Sequence, residues 1–362
     1  MIYYMTYVFI VPSISDSHFK NRIIEFIERS IDVVVYGFSR PNQTIPKGLP
    51  YKFELLGELR DENYKERFFL YTRCFKDLGK KYKGNEFCFY LCGLDIAMFF
   101  HYINPQAKYV YEECDLIHTY MGKLKNPLEW VDKRIIKNSV LTVTTSEGFI
   151  NYHFNGVRPS NVVLAENKLN PSVLNFVVKP KKVFSSDTIS VGFVGGPRFD
   201  SVYNFIDVFC RTFPKGFFHI YGGPVTEQFE ELKKYKNCIF HGFFKNPDDL
   251  PEIYSSIDIV VATYDTKFEN VRYAEPNKIY ESIYFETPIV VSSGTFLADK
   301  VKRLGIGYDI NAMNDDEVVG FINGLTDEKL KERAQNAQSI DKKLTLNVND
   351  ELFELLSQVI MN

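Results

Sequence analysis

The stretch Tyr273-Ala-Glu-Pro-Asn-Lys-Ile-Tyr-Glu-Ser-Ile-Tyr-Phe-Glu-Thr-Pro-Ile-Val-Val-Ser292 decides how the rest of the chain reads. Pro276-Asn277-Lys278 opens a helical pattern, and Pro288-Ile-Val-Val-Ser292 directly after it has the apolar run of a buried strand. Lys278 and Glu281 are three apart, so a helix sets them on one face. One cation and one carboxylate then stand near a helix N-terminus, where free backbone N–H groups already favour anions. A diphosphate carrying a ribose suits that set: the lysine and N–H groups take the phosphates, and the carboxylate accepts from ribose hydroxyls. The competing reading is an i,i+3 surface ion pair of little energetic weight.

Strand and helix alternate on both sides of this stretch. Upstream, Ile189-Ser-Val-Gly-Phe-Val-Gly195 reads as a strand entering a glycine turn, and Ser201 to Phe213 as a helix. Phe217–Tyr221, Cys238–His241 and Ile257–Ala262 read as further strands, with a helix over Asp249–Ser256. The first half shows the same order: Tyr7–Val11, a helix over His18–Arg29, Asp32–Tyr36, Phe87–Leu91, Tyr109–Tyr111 and Leu141–Thr145. Helices are expected over Asp327–Ile340 and Asn347–Met361. The βαβα order predicts an α/β protein with two doubly wound, Rossmann-like domains. The pattern breaks between Ala165 and Asp187, a turn-rich stretch with Pro171, Pro180, Lys179, Lys181, Lys182, Ser185 and Ser186. The expected organisation is a first domain over 1–165, a linker over 166–187, a second domain over 188–340, and a last helical segment over 341–362.

The 362 residues are 45% apolar and 25% charged, an ordinary globular composition. A net charge of −3 argues against a dedicated nucleic-acid binder. Arg22, Arg29, Lys76, Lys80, Lys81 and Lys83 all fall in the first half; they are either solvated helix faces or a surface meeting anionic headgroups. The six cysteines form no C-x-x-C pair, so no structural zinc site is expected, and Cys88 and Cys92 read as small buried apolar residues of a reducing compartment. Met1 to Ile14 lacks a basic n-region and a cleavage pattern, and no apolar run reaches membrane-spanning length. No D-x-D triplet occurs, which fits a site without a metal or other cofactor. No G-x-G-x-x-G occurs either, so a dinucleotide oxidoreductase is not indicated. His18, His101, His118, His153, His219 and His241 are scattered. His219 and His241 fall in strands and are expected in the core.

Pro276-Asn277-Lys278-Ile279-Tyr280-Glu281 followed by Phe285-Glu-Thr-Pro-Ile-Val-Val291 resembles the sugar-nucleotide motif of family 4 type, GT-B fold glycosyltransferases of polysaccharide biosynthesis. Val194-Gly195-Gly196, His241-Gly242-Phe243 and Ile257–Val261 fit the same layout. The resemblance covers about 189–310 and reaches weakly back through Ser139 to Phe149. Two features depart from it. Glu286 stands where glycine is common, and Tyr273 stands where a second, sugar-contacting glutamate is usual.

The resemblance implies two domains facing a cleft, with the last helix crossing back to the first domain. Glu281 would bind the ribose, with Lys278, Asn277 and Pro276 near the diphosphate. Gly195 and Gly196 would let phosphate approach the backbone. Arg198 would either neutralise the departing diphosphate or be an exposed turn arginine. Phe243 would either stack on the nucleobase or be a core or helix-covering residue. Glu275 is a further candidate donor contact, out of register with the missing glutamate. His118, with Asp115 near it, is the candidate polar group on the acceptor side. The implied reaction moves a sugar from a nucleotide-sugar, a UDP-sugar, to a hydroxyl of a glycan or lipid-linked acceptor, without metal and with retention of configuration. The implied place is the cytoplasm, with peripheral contact at the inner membrane face. Two other classes stay open: a sugar-nucleotide epimerase of related fold, and a non-catalytic descendant that binds a sugar nucleotide or a partner.

Overall fold

The computed structural model describes residues 5–41, 45–46, 48–60, 64–177, 184–185 and 188–361. Met1 of the apolar opening segment, and Lys179, Pro180, Lys181, Lys182, Ser186 and Asp187 of the expected linker, lie outside them. The chain forms two compact units, 1–166 with 349–362, and 167–348.

The first unit is a seven-stranded sheet built from β1 (Thr6–Val11), β2 (Val33–Ser39), β3 (Phe53–Glu58), β4 (Phe87–Cys92), β5 (Tyr109–Glu113), β6 (Leu141–Thr144) and β7 (Val162–Leu164). Its order is β3-β2-β1-β4-β5-β6-β7, and each adjacent pair runs parallel. Alternation along β1 explains the layering. Val8 and Ile10 enter one core with Tyr36, Phe89 and Phe100, while Tyr7, Phe9 and Val11 enter the other with Phe26, Cys88, Tyr90 and Cys92. Burial of such rings stabilises by roughly 1.5–3 kcal/mol each. The last helix, Asp350–Met361, closes the second of these cores with Leu352 and Leu356. Phe353 packs edge-on to Phe26 at 5.0 Å, and the Arg29 guanidinium lies 4.0 Å over the Phe353 ring.

A buried charge network fixes the helix Ser17–Glu28 against the carboxyl ends of the strands. Arg22 is 2% exposed, and its Nε and Nη2 both donate to Glu112 Oε1 at 3.2 Å. Its Nη1 donates to Glu25 at 2.7 Å, and Asn349 donates to the same carboxylate at 2.9 Å. The expected basic patch therefore needs correction. Arg22 is interior, and Arg29 pairs with Asp350 at 3.0 Å while stacking on Phe353. Lys76, Lys80, Lys81 and Lys83 are exposed.

The second unit has six strands: β8 (Ser190–Val194), β9 (Phe217–Tyr221), β10 (Cys238–Gly242), β11 (Ile259–Ala262), β12 (Ile289–Ser292) and β13 (Gly307–Ile310). The order is β10-β9-β8-β11-β12-β13, again with parallel pairings. The chain starts at β8, winds outward through β9 and β10, then returns to continue from β11. The loops after β8 and β11 thus diverge at a topological switch point, where sheets of this kind bind ligands. The described start of the expected linker docks on this unit. Leu169 and Val173 are buried in its core, Leu169 N donates to the Thr345 carbonyl at 3.0 Å, and Asn347 N donates to the Leu169 carbonyl at 2.7 Å.

Glu286 explains its own departure from glycine. It follows the helix Lys278–Tyr284 with φ +53, the left-handed conformation that ends helices and favours glycine. Its carboxylate pairs with Lys342 at 2.7 Å, which offsets part of the backbone strain.

Candidate functional site

Glycine turns end the first three strands of the second unit. Gly195 N donates to the Tyr221 carbonyl and Gly222 N to the Gly242 carbonyl, both at 2.7 Å. The three strand ends are thereby knitted into one backbone rim. Gly195 and Gly222 have φ +145 and +128, which side chains strain to adopt. A Cβ on Gly222 would also collide with the Gly195 carbonyl. Gly222→Ala should therefore lower stability by about 1–2 kcal/mol, readable as a lower melting temperature.

The helix Lys278–Tyr284 stands against this rim, buried along its whole length. Ile279, Tyr280, Ile283 and Tyr284 anchor it in the core. That anchoring carries Lys278 and Glu281 inward: they are 7% and 0% exposed, so they are not a surface pair. Glu281 Oε2 accepts from the Tyr254 hydroxyl at 2.5 Å, and Oε1 accepts from Asn277 Nδ2 at 2.7 Å. Lys278 Nζ lies 3.6 Å from Oε1 and donates to Asn277 Oδ1 at 3.0 Å. Asn277 sits at the N-cap but makes no side-chain cap, because its amide bridges the lysine and the glutamate instead. Burial and the nearby Glu281 charge hold the Tyr254 hydroxyl protonated, well above the ordinary tyrosine range. A Cβ built on Gly195 would lie 3.9 Å from Lys278 Cε, so the lysine stem reaches the glycine turn. The result is a buried carboxylate with lone pairs to spare, a buried cation, and a backbone that admits close approach.

The second unit also matches a family profile. Residues 188–316 match glycosyl transferases group 1. The match lies wholly within the second unit and covers about a third of the chain. By sequence, no curated protein matches the chain. Solved structures match it nearly end to end. HepE from Anabaena in complex with UDP and glucose has 14% identity and a TM-score of 0.70, covering 97% of this chain and 99% of that one. Sucrose-phosphate synthase from Thermosynechococcus elongatus has 13% identity and a TM-score of 0.72, covering 99% of each chain. UDP-GlcNAc 2-epimerase from Neisseria meningitidis bound to UDP-GlcNAc has 10% identity and a TM-score of 0.68, covering 99% of this chain and 100% of that one. At these identities the likeness is one of fold, the two-domain GT-B arrangement of Rossmann-like units.

Other candidates in the second unit fall around this cluster. Pro276 is half-buried, and Gly196 and Arg198 are exposed. The Arg198 guanidinium lies 5.1 Å over the Phe199 ring. The buried Tyr264 hydroxyl is raised in pKa by burial first, then by Glu281, against Arg198, so both charges act on one tyrosine. Glu275 is buried and pairs with Lys300 at 2.5 Å, and Lys300 also donates to the Tyr280 hydroxyl at 3.1 Å. Phe243 is 80% exposed; its ring lies against the backbone turn, 3.2 Å from where a Gly223 Cβ would be. It is not a core residue.

The histidine expectation fails for His219 and His241. His241 is exposed on the edge strand β10, and His219 is only half-buried on β9. Their rings stack at 5.3 Å, with Tyr221 stacked on His241 at 4.1 Å. An edge strand has a neighbour on one side alone, so its side chains are less covered, which strand periodicity alone does not reveal.

In the first unit, His118 is 0% exposed while Asp115 is exposed, so the structure does not present them as a surface pair. His118 Nδ1 stands 3.2 Å from Asp132, and its Nε2 lies 3.3 Å from the Tyr152 hydroxyl. A partly exposed polar group near the end of β5 is His18, whose Nε2 lies 2.9 Å from the buried Glu112. Its spacing in sequence carries no sign of this, nor of the partnership between Tyr254 and Glu281.

Proposed function

We propose that the chain transfers a sugar from a nucleotide-activated donor, a UDP-sugar, to a hydroxyl of a glycan or lipid-linked acceptor in polysaccharide biosynthesis. The observation that carries this reading is the buried Glu281–Asn277–Lys278 cluster beside the Gly195 turn, inside the matched residues 188–316. In this reading Glu281 accepts hydrogen bonds from the ribose hydroxyls. Lys278 neutralises the diphosphate, and the Gly195–Gly196 backbone lets it come close. A lysine already desolvated interacts more strongly with phosphate than an exposed one. Arg198, Pro276 and Glu275 complete the donor side. Arg198 adds positive charge as the diphosphate departs, so catalysis rests on placement and charge stabilisation without a metal. Retention of configuration follows the family resemblance.

Phe243 serves the nucleobase in this reading, since an exposed ring over a glycine turn offers a stacking face. Phe243→Ala should leave stability unchanged and weaken UDP binding by about 0.5–1.5 kcal/mol, as read by calorimetric titration.

The acceptor side belongs to the first unit, over 1–165 of the proposed division, with 166–187 as connector, 188–340 as donor domain and 341–362 as closing segment. No helix among the described residues is long and apolar enough to cross a membrane. Contact with the inner membrane face would come through the helix Tyr64–Lys81. Phe68 and Phe69 are 50% and 72% exposed there, on the same helix as the exposed Lys76, Lys80 and Lys81.

An epimerase is the second reading, favoured by the equally extensive likeness to UDP-GlcNAc 2-epimerase. Incubation with radiolabelled UDP-sugars separates the two. Acceptor-dependent release of UDP with label in the acceptor supports transfer. An altered sugar still attached to UDP supports epimerisation, and binding without turnover removes both.

A further inference from the structure

The first unit holds a buried cluster that the donor site does not use. Glu113 ends β5, Asp132 lies on the helix Lys125–Asn138, and His153 lies on the helix Glu147–Phe154. Their side chains are at most 2% exposed. One ligand atom from each lies within 4.8 Å of the other two. His153 Nε2 is 2.8 Å from Glu113 Oε1 and 3.9 Å from Asp132 Oδ2. Among the described residues, no lysine or arginine pairs with either carboxylate. Both Asp132 oxygens lack a hydrogen-bond donor of acceptable geometry, as does Nδ1 of His118, which stands 3.2 Å from Oδ2. A buried carboxylate left this way is costly unless a proton or a cation compensates it.

We propose that Glu113, Asp132 and His153 bind one first-row divalent cation, zinc by preference, as a structural clamp between β5 and the two helices. Zinc bonds of about 2.0–2.2 Å in tetrahedral array place ligand atoms about 3.3–3.6 Å apart, between the two distances seen. One imidazole with two carboxylates suits zinc or manganese better than calcium. His118 orients the Asp132 carboxylate from outside. Two buried carboxylates here stand together beside one imidazole, and a bound cation compensates both. The proposal is independent of the donor site, so either can fail alone.

The test is metal analysis of the full chain purified without chelator, followed by calorimetric and thermal-shift titration of chelator-treated protein with ZnCl2 and MnCl2. The expected result is one equivalent of bound metal and a melting temperature that rises with added zinc. Asp132→Asn should lose both, and His118→Ala should weaken zinc binding about 10–100-fold. Should Asp132→Asn fail to fold, competition with a chromophoric chelator on folded wild type decides stoichiometry and affinity. A metal-free protein whose melting ignores zinc overturns the proposal and leaves a proton in the cluster. Zinc binding that survives in folded Asp132→Asn also overturns it.

Discussion

Arg22→Met should cost about 3–5 kcal/mol, because removing one partner of a buried pair leaves an uncompensated charge. Arg22 is 2% exposed and gives two hydrogen bonds to Glu112, which is 0% exposed. The variant keeps the stem volume and deletes only the guanidinium, so packing loss is small. Urea unfolding measures the effect. Pairing the change with Glu112→Gln should recover part of it, since Glu25 is then the remaining carboxylate that has lost the guanidinium. The pH dependence adds a second readout. Burial works against Glu112 ionising, but Arg22 and His18 bring its carboxyl down from 4.5 to about 2. A depressed carboxyl stabilises the fold above its unfolded value and loses that contribution as pH falls through about 2. Without Arg22 burial dominates and raises the carboxyl. Stability should then fall as pH rises above the ordinary carboxylate value, the opposite slope. A variant as stable as wild type with an unaltered slope would show that the network is ornamental.

Glu281→Ala should weaken UDP binding by about 1–3 kcal/mol, the scale for losing a charged hydrogen-bond partner. It should also lower stability, because Tyr254 and Asn277 lose their acceptor and Lys278 its nearby carboxylate. The two effects separate through milder variants. Glu281→Gln keeps the shape and removes the charge. Tyr254→Phe removes one internal donor and leaves the carboxylate in place. If Glu281 serves only the fold, both variants shift melting and neither shifts UDP affinity. In the donor reading, Glu281→Gln weakens UDP at least tenfold, about 1.4 kcal/mol, while Tyr254→Phe leaves affinity within a few-fold.

The alternation of strand and helix was legible because central strands of a parallel sheet are apolar on both faces. Val191, Phe193, Ile259, Val261, Ile289 and Val291 are all buried, and such runs announce themselves. The edges were less so. Phe53–Glu58 escaped notice because half of its positions face solvent, Leu55 at 40% exposure. Edge exposure also undid the core assignment of His241. Pro276-Asn277-Lys278 and Glu281 were readable, since three residues on a helix fix their relation. Their partners were not: Tyr254 lies 27 positions from Glu281, and Arg22 lies 90 from Glu112. A charged residue on an amphipathic helix usually faces solvent, so sequence alone places Arg22 at the surface. Only the tertiary fold supplies the carboxylate that draws it inside. The buried Glu113, Asp132 and His153 come from three separate elements and have no spacing that local geometry would flag.

The most direct measurement is the position of UDP in a crystal of its complex with this protein. The ribose hydroxyls should lie within hydrogen-bond distance of Glu281, about 2.6–3.2 Å, with the diphosphate between Lys278 and the Gly195–Gly196 turn. A nucleotide lodged elsewhere in the protein, with Glu281 still bonded only to Tyr254 and Asn277, would contradict the assignment.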